Sequence, residues 1–202
     1  MILLLFNGSS IALPDNNKNP LHIAAWQYNT TQNNLEALTI DALELYGENL
    51  IKSVPEDIND YCPNYKKAKT QDRIKFWSSL ISSLSFFEST HSTSVSYAEN
   101  FLTLDGKPVV SRGLLQISIE SSRAYQCQIS SENDLHQPQI NLECGVRILS
   151  KLITKDNVIA GKNKKLKNHN NWLGAAKYWS PFRDSSKKQT IALNTKKQPY
   201  CQ

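Results

Sequence analysis

The sequence predicts a mainly α-helical domain of the α+β class carrying one small β-hairpin. Apolar residues recur at helical spacing in four separate stretches. One place only, Asp105-Gly106 between apolar runs, has hairpin chemistry. Four cysteines form an even set that can cross-link such a domain twice. The 202 residues suit one domain, and 40% apolar with 20% charged residues excludes a disordered, fibrous or polytopic membrane chain.

Taken in order, Met1 to Ala12 (MILLLFNGSSIA) is an apolar run followed by small residues, so residues 1–13 read as the remnant of a secretory signal. Nothing in the sequence is long and apolar enough to span a bilayer. Residues 14–71 form an N-terminal extension: a Pro- and Asn-rich loop, then one helix over Leu35, Leu38, Ala42, Leu45 and Tyr46. That helix should stop near Val54-Pro55, where proline cannot continue the hydrogen-bond ladder, and residues 55–70 are a loop.

The next helix, capped at Asp72, carries an apolar stripe of Phe76, Trp77, Leu80, Ile81, Leu84 and Phe87. Glu88 lies 4, 7 and 11 residues beyond Leu84, Ile81 and Trp77, within about 40° of that stripe. Burial and the negative end of the helix dipole both favour its protonated form, the state a general acid needs. Periodicity leaves the alternative open that Glu88 emerges into solvent or pairs with Arg112 or Arg123. Two short strands then flank Asp105-Gly106 within residues 101–110, and Ser118 caps a short helix reaching Tyr125. Pro138 and Asn141 open a helix with Leu142, Val146, Leu149 and Ile153 on one face. A last helix should begin after Asn168–Asn171, put Trp172, Ala175, Ala176 and Trp179 on one side, and stop at Pro181. Residues 72–183 hold the patterned body of the chain, and residues 184–202 read as a weakly patterned basic tail.

Cys62, Cys127, Cys144 and Cys201 lack zinc-site spacing and, with the signal-like start, predict two disulfides in an oxidising compartment. Of three possible pairings we favour Cys127 with Cys144, tying a loop to the helix after it, and Cys62 with Cys201, anchoring the C-terminus. The net charge of +5 is unevenly placed: residues 1–146 hold 10 Lys/Arg against 16 Asp/Glu, and residues 147–202 hold 13 against 2. Such a basic third suits an anionic polymer or surface.

The order of short motifs carries more than any one of them. Glu88-Ser89 ends a helix, Gly113-Leu114-Leu115-Gln116-Ile117-Ser118 follows, then Asn141-Leu142 with Gly145-Val146, then Ala175-Ala176-Lys177-Tyr178. Over residues 72–183 this resembles the soluble lytic transglycosylase and goose-type lysozyme superfamily, whose pattern runs E-S, G-L-M-Q-I, N-[IL] with a later G, and A-[AL]-Y. The chain departs from it in a longer interval from Glu88 to Gly113, in Leu115 for Met, and in Lys177-Tyr178-Trp179 for Tyr-Asn-Ala.

The resemblance implies a lysozyme-like fold with the hairpin beside its cleft, cleaving the β-1,4 bond between N-acetylmuramic acid and N-acetylglucosamine in peptidoglycan. Glu88 takes the place of the catalytic glutamate, Gln116 and Ser118 line the sugar cleft, and Tyr178 sits near the catalytic carboxyl. Glycosidases usually need a second carboxylate, for which Asp105, Glu99 and Glu120 are the candidates. Without one, Glu88 would serve as acid and then base on the muramic 6-hydroxyl, the lytic transglycosylase outcome, which is the expected one. With one, water attacks and the enzyme is a hydrolytic lysozyme. A non-catalytic glycan-binding module is the reading from another class. No cofactor and no metal is implied, because no phosphate loop, HExxH or clustered His is present. The expected partner is the peptidoglycan strand rather than nucleic acid or membrane, met by a monomer in the periplasm or outside the cell.

Overall fold

The computed structural model describes residues 33–103, 105–163, 165 and 171–202; the expected signal remnant at residues 1–13 lies outside them. The extension's helix forms, but in two pieces, α1 (Asn33–Tyr46) and α2 (Glu48–Lys52), with Gly47 between them. Residues 55–70, expected as loop, contain the single turn α3 (Ile58–Tyr61) and a 3-10 turn at Tyr65–Lys67. Their aromatic side chains enter the core: Trp77 Nε1 donates to Tyr65 Oη at 2.8 Å, and Tyr65 Oη donates to Ile51 O at 3.0 Å.

Helix α4 (Thr70–Ser89) is the axis of the fold. It starts two residues before Asp72, whose carboxylate then sits in the first turn where the dipole favours it. An apolar stripe predicts a helix with one buried face, yet every residue from Phe76 to Ser85 is buried. The second face is made of serines, and the chain's C-terminal part covers it. Residues expected as a tail instead form α7 (Ser185–Lys196), capped by Asp184 and packed along α4. Asn194 Nδ2 donates to Ser83 Oγ at 3.2 Å, and the hydroxyls of Tyr200 and Ser79 share a hydrogen bond of 2.7 Å. The covered face is polar, so the segment that covers it lacks the apolar period that would reveal a helix.

The other long helix, α6 (Pro138–Asp156), opens at Pro138 as expected and packs against α1 with Leu142, Val146, Leu149 and Ile153 buried. The hairpin is β1 (Ser96–Leu102) and β2 (Pro108–Arg112), antiparallel, extended to a three-stranded sheet by β3 (Ile117–Ser118). Ser118 Oγ accepts from Ser121 N and caps α5 (Ile119–Ala124). The helix expected over Trp172 to Trp179 does not form. β5 (Trp172–Gly174) pairs antiparallel with β4 (Ala160–Lys162), and 3-10 turns follow at Ala175–Lys177 and Ser180–Phe182. Asp156 explains the override: its carboxylate takes Gly174 N at 2.7 Å and Lys177 Nζ at 2.8 Å, and Ala175 N donates to Ile159 O at 2.7 Å. The chain is thereby held extended where local spacing alone suggests a helix.

Both favoured disulfides are present, Cys62–Cys201 across 139 residues and Cys127–Cys144 across 17. Such bonds suit an extracytoplasmic compartment, and among the described residues no helix is long and apolar enough to cross a membrane. Loop-closure entropy makes the bridges unequal, worth about 5 kcal/mol for the long loop and about 3 kcal/mol for the short one. Replacing Cys62 and Cys201 by Ala should therefore lower the melting temperature by about 10–20 °C. The Cys127/Cys144 pair should cost visibly less, and thermal unfolding of the two double variants checks the order.

Candidate active site

Everything the ordered motifs supply converges on one buried loop, Gly113 to Gln116. Gly113 turns with φ +71°, and a Cβ there would stand 2.2 Å from Leu135 O. From the end of α4, Ser89 Oγ donates to Leu114 O at 2.9 Å. From α6, Asn141 Oδ1 accepts from Leu115 N at 2.9 Å while its Nδ2 donates to Leu135 O and Arg112 O. Gly145, one turn further on, leaves room for Leu115, whose Cδ1 would lie 2.2 Å from a Cβ. From the third side, Trp179 Nε1 donates to Leu115 O at 2.9 Å. The loop closes on itself through Gln116, held at φ +47°, whose Nε2 donates to Gly113 O at 2.8 Å and Val95 O at 3.2 Å.

Above this loop opens a cleft of about 390 Å³ that brings together Glu88, Glu99, Gln116, Ser118, Glu120 and Tyr178. All four residues expected at the site thus line one cavity. Gln116 and Ser118 also have structural duties, the loop closure and the α5 cap, so they shape the wall as much as they offer polar groups. Asp105 is not part of the cleft: it sits at the hairpin turn, accepting from Thr103 Oγ1 and paired with Lys107 Nζ at 3.4 Å. His91 is buried at the left-handed exit of α4 with Nδ1 3.3 Å from Ser85 Oγ.

Glu88 is half-buried in the cleft wall beside the C-terminal end of α4. Burial pushes its carboxyl up to about 7, and the neighbouring Glu99 pushes the same way, while Lys187 and Arg183 pull it down. Tyr178 is pushed up to about 12 by burial, against hydrogen bonds that its hydroxyl oxygen accepts from Ser121 and the Ser118 backbone N–H. Its ring meets Trp179 edge-on at 4.6 Å. Glu99 reaches the cleft from β1, where Ser111 Oγ donates to its Oε1 at 2.6 Å and fixes its direction. Phe101, two residues on, lines the same cavity while 59% exposed, leaving its ring face open. Sequence reasoning held Glu99 only as one of three loose candidates and overlooked Phe101, Lys187 and Arg183. Strand alternation is only a partial signal: it would put residues 99 and 101 on one face, but the register of β1 on β2 shifts between Ala98 and Leu102. Among the described residues no group of three or more His, Cys, Asp or Glu could hold a metal ion.

No family model matches the chain, and neither does any curated protein. Solved structures do. The Bdellovibrio protein Bd0314 DslA superposes in its wild-type form with a TM-score of 0.80 at 36% identity, covering 88% of this chain and 96% of that one. Two Glu-to-Gln mutants of Bd0314 DslA match equally, at TM-scores of 0.81 and 0.78 and identities of 36% and 35%.

The raised Glu88 carboxyl has a signature in stability. Below pH 4.5, its ordinary value, the group is protonated in folded and unfolded chains alike. As pH rises from 4.5 to about 7 the unfolded chain gives up the proton and the folded chain keeps it, so stability falls, by about 3 kcal/mol in all. Glu88→Gln escapes that loss and should be the more stable protein above pH 7, with the advantage fading toward pH 4.5. His91, pulled down to about 4 by burial, acts in the opposite sense between its folded value and its ordinary one, but it is present in both proteins and cancels. Denaturant unfolding of wild type and Glu88→Gln across this pH range measures the difference; a difference that stays flat contradicts the placement of Glu88.

Proposed function

The chain belongs to the family of Bd0314 DslA, and on that footing we propose that it is a muramidase, cutting the β-1,4 bond between N-acetylmuramic acid and N-acetylglucosamine in peptidoglycan. The observation that carries this is the pairing of two carboxyls in one cleft, Glu88 with its proton retained near neutrality and Glu99 oriented by Ser111. The two glutamates replaced in the mutants of Bd0314 DslA stand eleven positions apart. Glu88 and Glu99 have that same spacing here, which supports a paired role. The motif order of the lysozyme and lytic transglycosylase superfamily, which includes Glu88 but not Glu99, supports the muramidase reading itself.

In the reaction, the glycan lies along the cleft with a sugar ring against Phe101, whose open face is suited to stacking. Glu88 donates its proton to the glycosidic oxygen, which leaves as the 4-hydroxyl of N-acetylglucosamine while positive charge grows at C1 of the muramic residue. Glu99 takes a proton from water as the water oxygen bonds to C1. The product carries a free reducing end, and the proton on Glu99 returns to Glu88 through solvent. Tyr178 and Gln116 confine the sugar at the reacting carbon. A second carboxylate in place favours this hydrolytic course over the transglycosylase expectation, in which Glu88 alone would close a 1,6-anhydro ring. Two disulfides support action in the periplasm or outside the cell.

Digests of purified sacculi decide among the outcomes. Reducing ends are expected; anhydro ends would assign the transglycosylase course, and no cleavage by wild type would leave a glycan-binding module. Glu88→Gln should lower the rate by about 10²–10⁴-fold, and Glu99→Gln should fall in the same range, because each supplies one proton transfer. The rate should decline as pH rises through about 7, where Glu88 loses its proton.

A further inference from the structure

A second groove runs between the end of α1 and the exposed face of α6. It is a shallow, open depression of about 480 Å³, lined by Tyr46, Tyr125, Arg147, Lys151 and Lys155 with a few small polar residues. Arg147, Lys151 and Lys155 stand at positions i, i+4 and i+8 of one helix, so their charges point the same way. Among the described residues none of the three has an ion-pair partner. Lys155 lies in the last turn of α6, where it complements the dipole, which leaves Arg147 and Lys151 as the cations whose charge no helix end or acid balances. Glu143, four residues before Arg147 on the same helix, accepts at Oε1 from Gln139 Nε2 at 2.9 Å and forms no ion pair with Arg147 among the described residues.

These cations are held in place. The Arg147 guanidinium lies 3.9 Å from the Tyr46 ring centre, and Lys151 Nζ lies 5.2 Å from that of Tyr125. Cation–π contact orients a charge without neutralising it, so the groove keeps its demand for an anion. It also touches the cleft: Tyr125 meets Tyr178 edge-on at 6.2 Å, and Tyr178 lines the Glu88 cavity. Tyr125 in turn lines the groove beside Lys151.

We propose that this groove is a second substrate-binding site, holding carboxylate groups on the peptide stems of the strand whose glycan lies in the cleft. The inference rests on the muramidase reading for the identity of the polymer, and on the geometry alone for its anionic character. The ring faces of Tyr46 and Tyr125 supply apolar contact, Arg147 and Lys151 supply the charge, and the continuity through Tyr125 and Tyr178 makes one chain able to occupy both sites.

The test is retention on insoluble sacculi, scored in a Glu88→Gln background so that binding is read without cleavage. Arg147→Glu with Lys151→Glu should weaken binding to intact sacculi by about tenfold, equivalent to roughly 1.4 kcal/mol, and the gap should close in high salt. On glycan stripped of its stems by an amidase, the reversed and parent proteins should bind alike. The charge-keeping pair Arg147→Lys with Lys151→Arg should bind as the parent does, and unchanged thermal unfolding of both variants excludes misfolding. Equal retention of parent and reversed proteins on intact sacculi overturns the proposal, as does an equal loss on stripped glycan, which would assign the groove to another anion. If active wild type cleaves sacculi but reversal changes nothing, the groove fails and the muramidase reading stands. If wild type cleaves nothing yet the reversal releases it from intact sacculi, the groove stands and the muramidase reading fails.

Discussion

The buried backbone of Gly113 to Gln116 has to find its hydrogen bonds in side chains from other elements, and this requirement organises the molecule. An amide or carbonyl left unpaired there would cost about 1–3 kcal/mol. Ser89 meets the need from α4, Asn141 from α6 and Trp179 from the segment after β5. The three elements are therefore locked to one loop and to one another. Because Ser89 is the neighbour of Glu88, the bond that satisfies Leu114 O also fixes where the α4 helix ends and which way the acid faces.

That location is unfavourable for a charge, and function follows from the cost. A carboxyl beside the C-terminal end of a helix, half out of water and near a second carboxylate, keeps its proton longer than a surface glutamate does. Lys187 and Arg183 temper the effect and hold the group near neutrality rather than far above it. Arg183 owes its own position to the carbonyls of Ala176 and Lys177, at 2.7 and 2.8 Å. The 3-10 turn that displaced an expected helix thus sets part of the electrostatics of the cleft.

How much was legible in the sequence depended on what each residue contacts. Helices α4 and α6 bury apolar stripes, so their spacing shows; the disulfide pairs follow from what each must anchor; Glu88 is visible as a carboxylate continuing a buried stripe. Helix α7 leaves no amphipathic period to find, because it meets its neighbours through Asn194 on Ser83, Thr195 on the Tyr61 carbonyl and few apolar residues. The strand at Trp172–Gly174 was misread because Asp156, far back on α6, captures Gly174 N and Lys177, a tertiary bond that outweighs local spacing. The sequence offers Glu99 as a candidate but does not select it over Asp105, since only the folded hairpin bonds one to Ser111 and leaves the other at the turn.

The proton on Glu88 is the centre of this account, and it can be observed without substrate. Carboxyl-selective ¹³C NMR of Glu-labelled protein, with Glu88→Gln identifying the resonance, follows the group through its own titration. A midpoint near pH 7 is the expected result, with its direction set by burial. A midpoint near 4.5, the value of a glutamate in water, would mean that the carboxyl is solvated and charged at neutral pH, and that this cleft holds no acid.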